Sequence, residues 1–270
     1  YRRFGAAVTV VEKGPRLTSR EDEDVSAAIK DILEAEGITV VLDATDMRIA
    51  KHENGIALQP RADADPVVGS HLLVATGRRP NTDDLGLETA GVRTDGRGYV
   101  VVDEFQRTTA RGIFALGDVS SHHQLKHVAN HEARTVKENL LRDWDGELVA
   151  SDHRFVPAAV FTDPQVAMVG MNEAEARAAG FDVVVKLQDY GDTAYGWAME
   201  DTTGVVKLIG ERGTGRLLGA HLMGYQASSL IQPLIQAMSF GQTAQDVARG
   251  QYWIHPALSE VIENALLGLS

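Results

Sequence analysis

The sequence predicts an α/β protein: first a parallel, helix-covered unit, then an α+β unit built on an antiparallel sheet. Three observations predict it. Apolar runs at 7–12 and 38–42 flank an amphipathic stretch at 19–36, the strand–helix–strand order of a parallel sheet buried on both faces. A polar, Gly-containing stretch at 143–152 then interrupts the chain. Beyond it, strand-like segments recur with turn residues between them, and neither an internal repeat nor a low-complexity tract is visible.

Taken in order, Tyr1-Arg2-Arg3-Phe4-Gly5 reads as the last turn of a helix closed by glycine. A helix end with no beginning suggests a piece of a longer protein. In the helix at 19–36, Val25, Ile29, Ile32 and Leu33 share one face and Gly37 ends it. A hairpin is expected over 46–59 around Glu53-Asn54-Gly55, and a buried strand at 71–75. Short strands follow at 99–102 and 112–116, then a long helix over 126–142. The final third predicts antiparallel strands at 155–161, 183–188, 204–210 and 217–223, with helices at 172–179, 226–240 and 256–267.

Composition narrows the function classes. The 270 residues suit one large or two ordinary domains, and a 44% hydrophobic content is ample for buried cores. A net charge of −12 argues against nucleic acid or an anionic membrane surface as partner. No apolar run has the length of a membrane span, and no signal peptide opens the chain. With no cysteine, the chain has no disulfide, thiolate metal site or thiol nucleophile of its own, which fits a cytoplasmic protein.

Several segments carry chemistry. Tyr252 to Glu260 places a histidine, His255, just before Pro256, with Glu260 near the start of an apolar helix. The proline suits a first helical turn, and Glu260, one turn in, can orient the imidazole and favour its protonated form, an acid/base unit. A helix-capping histidine beside an ordinary first-turn acid is the bland alternative. Glu12 ends the first parallel strand, where a dinucleotide fold puts the carboxylate that binds the adenine ribose. Many strands end in a carboxylate, so Glu12 alone decides nothing.

Ala75-Thr76-Gly77-Arg78-Arg79-Pro80-Asn81 follows a strand, and Gly77 would let the backbone approach a ligand closely. The run from Thr108 to Val119 delivers Asp118 just after Gly117, a position from which a carboxylate accepts hydrogen bonds from cofactor hydroxyls. Gln124, Leu125, Lys126 and His127 open the long helix, whose N-terminus can stabilise ligand negative charge. His122, His123, His127 and His131 invite a metal reading, but no carboxylate completes a recognised pattern and no metal is expected. Gly213-Thr214-Gly215 lies between two strands and opens no helix, so it reads as a hairpin turn.

Together these segments resemble the flavin-dependent pyridine nucleotide–disulfide oxidoreductases, a family that includes glutathione reductase, dihydrolipoamide dehydrogenase and mercuric reductase. The resemblance covers essentially all 270 residues. It implies a partial NAD(P)-binding Rossmann-like domain at 1–79, a central FAD-contacting domain at 80–150 and an α+β dimerisation domain at 151–270. The N-terminal FAD domain, its redox-active cysteine pair and the glycine turn for the nicotinamide dinucleotide lie outside the likeness. The segments 186–201, 226–233 and 248–256 resemble the mycothione reductase branch most.

By position, the resemblance implies NAD(P)H contacts at Glu12 and Gly77, a ribityl contact at Asp118, and a helix N-terminus at Gln124, Leu125, Lys126 and His127 beside the FAD ring. His255 and Glu260 would form the acid/base dyad serving the disulfide site of the other subunit of a homodimer. The expected substrate is a small-molecule disulfide, mycothiol disulfide first. Glu12 departs from the branch: a carboxylate suits NADH and repels the 2′-phosphate of NADPH, which Lys13, Arg16 or Arg20 could offset. The same pattern leaves open another substrate of the family, or a dimerisation and cofactor-docking module that is not itself catalytic.

Overall fold

The computed structural model describes residues 1–19 and 21–269; Arg20 lies outside the described residues. A 3-10 turn at Arg2–Phe4 closes at Gly5 with φ of 93°, the left-handed helix end that the sequence suggested. Strand β1 (Thr9–Val11) runs parallel to β2 (Thr39–Val41), with Thr9 opposite Thr39, and helix α1 (Glu23–Ala35) makes the crossover. The helix begins later than the expected 19–36. Glu21 and Asp22 instead lie in a buried charged cluster with His221 and Lys207, and Asp22 stands at the N-cap of α1.

The hairpin forms as expected, as β3 (Arg48–His52) and β4 (Gly55–Gln59), and β5 (Val67–Gly69) extends it. Residues 71–75 correct the expectation of a buried strand. They are irregular, and Leu73 and Val74 are 72% and 67% exposed. No strand among the described residues pairs with them, and an apolar run without a ladder partner has nothing to bury it.

Residues 75–158 make one compact unit. The strands expected at 99–102 and 112–116 are reduced to isolated bridges, Thr94 with Val100, Val102 with Thr108 and Arg107 with Phe114. Helix α2 (Lys126–Asn139) follows. It stops before Arg142, and the Asn139 amide ties the exit down by donating to Phe105 O and Val149 O at 3.1 and 2.9 Å.

The last stretch holds β6 (Ala158–Val160), β7 (Gln165–Gly170), α3 (Glu173–Ala178), β8 (Val183–Asp189), α4 (Ala194–Ala198), β9 (Val205–Glu211) and β10 (Leu217–Gly224). The five strands form one sheet in the order β6-β7-β10-β9-β8, and the pairings of β10 with β7 and β9 and of β8 with β9 are antiparallel. Every residue of β10 is buried, as a central strand should be. Gly213 and Gly215, with φ of 78° and 68°, make the hairpin turn between β9 and β10. The helix expected at 226–240 divides into α5 (Ala227–Leu230) and α6 (Gln232–Phe240), with Pro233 in the first turn of the second. Helices α7 (Ala244–Arg249) and α8 (Glu260–Leu267) complete the chain.

Tyr1–Val74 and the chain from Ala159 onward form a second compact unit. Its core joins the expected apolar face of α1 to the sheet: Val25 and Ile29, with Ile32 and Leu33 alongside, pack with Leu17, Val166 and Met223. Among the described residues no helix is long and apolar enough to cross a membrane.

Candidate cofactor and acid–base sites

In the unit that holds Tyr1–Val74 and the residues from Ala159 onward, α8 positions the candidate acid/base pair. Val261, Ile262, Ala265 and Leu266 bury one side of the helix, which fixes its first residue, Glu260. Glu260 is thus at the helix start rather than one turn in, because the preceding backbone closes in tighter turns, Glu260 N to Ala257 O and Val261 N to Leu258 O. His255 Nδ1–H donates to Glu260 Oε1 at 2.8 Å, and Ala257 N–H donates to Glu260 Oε2 at 3.1 Å. These bonds, the imidazole's first, hold the Glu260 carboxyl below its ordinary range. The Trp253 indole anchors the approach by donating to Ala248 O at 3.0 Å. The His255 side chain is 68% exposed, so with Nδ1 engaged its Nε2 is free to exchange a proton with an incoming group.

In the same unit, Glu12 follows β1 and accepts a hydrogen bond from Gly14 N–H on Oε1 at 2.7 Å. The carboxylate is half-buried at the carboxyl end of a parallel strand, the position from which an acid binds a ribose diol. Lys13 is exposed, and Arg16 donates to Ser19 O at 3.2 Å.

The other candidate residues lie in the unit 75–158. Gly77 has φ of 111°, and a Cβ there would meet nothing within 4 Å, so conformation rather than crowding requires glycine. Asp118 sits in a 3-10 turn, Gly117–Val119, with its side chain 51% exposed. Arg78 Nη1 reaches Asp118 Oδ2 at 3.4 Å and donates to Gln124 O at 2.7 Å. Arg78 thereby joins two segments the sequence leaves unconnected; an arginine after an apolar run otherwise reads as surface charge.

Gln124 adopts φ of 50°, and its buried side-chain Nε2 has no hydrogen-bond partner among the described residues. Leu125 caps α2 without a side-chain bond, leaving the first N–H groups of that helix uncapped. An orphaned donor, an uncapped helix start and an exposed carboxylate are the features a flavin's carbonyls and ribityl hydroxyls would satisfy. His127 Nε2 donates to Pro157 O at 2.8 Å. Among the described residues no group of three or more potential ligands is placed to hold a metal.

Comparison with known proteins names the group to which these features belong. Two family models, described as pyridine nucleotide-disulphide oxidoreductase and its dimerisation domain, match residues 1–133 and 156–266. The chain belongs to the pyridine nucleotide-disulphide oxidoreductases. Members of this family are FAD-dependent and use NAD(P)H.

A mycothione reductase of Mycobacterium tuberculosis (strain ATCC 25618 / H37Rv) is 56% identical over 276 aligned positions, 98% of this chain and 58% of that protein. A mercuric reductase of Streptomyces lividans is 39% identical over 96% of this chain and 54% of its own length. Among solved structures, the HOCl-induced flavoprotein disulfide reductase RclA from Escherichia coli matches the whole chain and 61% of its own, with a TM-score of 0.90 and 32% identity. This oxidoreductase chain therefore spans 58% of the length of the mycothione reductase it matches.

Proposed function

We propose that the chain is the cofactor-binding and dimer-forming part of an FAD-dependent, NAD(P)H-driven reductase of small-molecule disulfides, with mycothiol disulfide the favoured substrate. The observation that carries the reading is the exposed imidazole of His255 locked onto Glu260 at 2.8 Å. The 56% identity to a mycothione reductase supports the choice of substrate.

Bound flavin supplies the two-electron carrier between nicotinamide and disulfide. Asp118 would accept hydrogen bonds from the ribityl hydroxyls, while Gln124 Nε2 and the N–H groups of Leu125, Lys126 and His127 would hold the ring and favour negative charge there. Glu12 binds the adenine ribose of the nicotinamide cofactor, and in the other unit Gly77 leaves its backbone open to close approach by a ligand. His255 gives a proton to the departing substrate thiolate, a poor leaving group without one, and Glu260 stabilises the imidazolium in the protonated state. Because this chain has no cysteine, any dithiol in the reaction is contributed from outside these 270 residues. The same fact favours a second reading for the isolated 270 residues: a docking and dimerisation module with no turnover of its own.

The test is turnover of the complete gene product with NADH or NADPH against mycothiol disulfide, glutathione disulfide, lipoamide and Hg(II). Mycothiol disulfide should give the highest kcat/KM. A higher value with any of the others removes the substrate assignment, and no disulfide turnover at all removes the activity.

A further inference from the structure

Glu132 plays no part in the function proposed above, yet it is only 1% exposed on α2 and both its oxygens are taken. Oε2 accepts from Gly117 N–H at 2.6 Å, and Oε1 accepts from His153 Nε2–H at 2.9 Å. Gly117 is in the left-handed region, with φ of 74°, and a Cβ there would lie 3.3 Å from the Ala129 Cβ, so the turn is seated directly on the helix. The next residue is Asp118, whose exposed carboxylate has, among the described residues, one long contact, to Arg78.

A side chain so loosely held is aimed by its backbone, and that backbone is clamped one residue earlier by a charge-assisted bond. The far side of the clamp is itself held, since the His153 ring stacks on His123 at 5.9 Å and meets His131 edge-on at 6.4 Å. Helix packing alone would be served by an apolar residue at 132. A buried carboxylate costs more than that unless its bonds are used, and here they fix the direction of the turn.

The geometry points to Glu132 as the positioning residue that aims the Asp118 carboxylate at the ribityl hydroxyls of FAD, with His153 holding Glu132 in place. This rests on the reading that Asp118 binds the flavin.

The experiment uses the complete protein and measures the FAD dissociation constant of the apoprotein and the visible circular dichroism of the bound flavin. Asp118→Asn tests the underlying reading, and Glu132→Leu and Glu132→Gln test the inference. Glu132→Leu should weaken FAD about tenfold, the loss of roughly one net hydrogen bond, and alter the flavin dichroism. Glu132→Gln should recover much of both, because its carbonyl can still accept from Gly117 while its amide donates to the other His153 tautomer. The double variant Glu132→Leu/Asp118→Asn should bind FAD little worse than Asp118→Asn alone, since the two act through one contact.

A merely structural Glu132 would lower Tm while leaving FAD affinity and dichroism unchanged, and that result overturns the proposal. If Glu132→Leu does not fold, His153→Ala carries the same test, and wild-type affinity and dichroism in it overturn the proposal equally. Unchanged FAD affinity in Asp118→Asn removes the underlying reading and the inference with it. Weakened FAD in Asp118→Asn beside wild-type behaviour at 132 removes the inference alone.

Discussion

His255 and Glu260 divide exposure unequally: the imidazole side chain is 68% exposed and the carboxylate that holds it is 19% exposed. The carboxylate is fixed twice, by the ring and by the Ala257 amide, while the ring is fixed once. The less exposed partner therefore acts as the reference point, and the exposed one presents its other ring nitrogen in a set direction.

If His255 is the proton donor, its removal should separate the two half-reactions. His255→Ala should slow disulfide reduction by about 10²–10⁴-fold, the usual worth of general acid catalysis. Reduction of the flavin by nicotinamide, followed by stopped-flow absorbance, should change little. Glu260→Gln should cost less, since it keeps a hydrogen-bond acceptor for the ring. For folding stability the lowered carboxyl sets the sign: the pair's contribution is present above the unfolded carboxylate pKa and is lost as pH falls through the folded one, which urea unfolding of wild type and Glu260→Gln across that range measures. Equal slowing of both half-reactions in His255→Ala would count against the assignment.

Mixed dimers test whether the site is shared. A subunit with His255→Ala paired with a subunit lacking the redox thiols should keep roughly half the wild-type rate if His255 serves the partner's thiols. It should be inactive if His255 serves its own chain. Tandem-tagged heterodimers assayed for disulfide turnover distinguish the two.

Nicotinamide choice should depend on Glu12. Replacing it with Ala should lower kcat/KM for NADH about tenfold or more, the worth of hydrogen bonds to a charged group, with less effect on NADPH. An unchanged ratio between the two nucleotides would show that the carboxylate does not meet the ribose.

The charged cluster beneath α1 should govern stability. Lys207 is 7% exposed and pairs with Asp22, Asp24 and Glu173 at 3.5, 3.0 and 3.2 Å. Lys207→Met should destabilise by about 3 kcal/mol, the low end for a broken buried pair because Asp24 and Glu173 keep some solvent. Burial alone would push the His221 imidazole down, but the hydrogen bond to Glu21 and the charges of Glu21 and Asp22 outweigh it and raise it. With the folded value raised, His221 contributes fully below its unfolded pKa of about 6.5, and that contribution is lost as pH rises through the folded value. Denaturation midpoints across this range should fall for wild type and stay flatter for His221→Gln; parallel curves would refute the linkage.

Gly219 should tolerate no side chain. A Cβ there would lie 1.9 Å from the Met171 carbonyl oxygen, a backbone atom that cannot step aside without breaking the β7–β10 ladder. Gly219→Ala should destabilise by more than about 3 kcal/mol, in the range of severe core overpacking, with urea unfolding as the measurement.

Local pattern made some of this visible in advance. The α1 face of Val25, Ile29, Ile32 and Leu33, the 46–59 hairpin, the turn at Gly213 and the His255–Glu260 pair each follow from residues close in sequence. What stayed hidden depends on distant partners. Nothing near 71–75 reveals that no strand among the described residues pairs with it, and nothing near Glu21 announces the histidine 200 positions away that it meets. Glu132 looks like a surface acid on an amphipathic helix until the Gly117 amide, 15 residues earlier, is brought against it.

The unit assembled from both ends of the chain has a temporal consequence. Its α1 face cannot be covered until β7, β9 and β10 exist, because Val166, Val205 and Met223 of those strands pack against Val25 and Ile29. At roughly 5–20 residues per second of synthesis, that face waits on the order of ten seconds or more. During that interval Val25 and Ile29 are open to chaperones and to wrong partners. Contacts of such long span also slow the final closure itself. For a nascent chain on the ribosome, α1 emerges well before the strands that cover it.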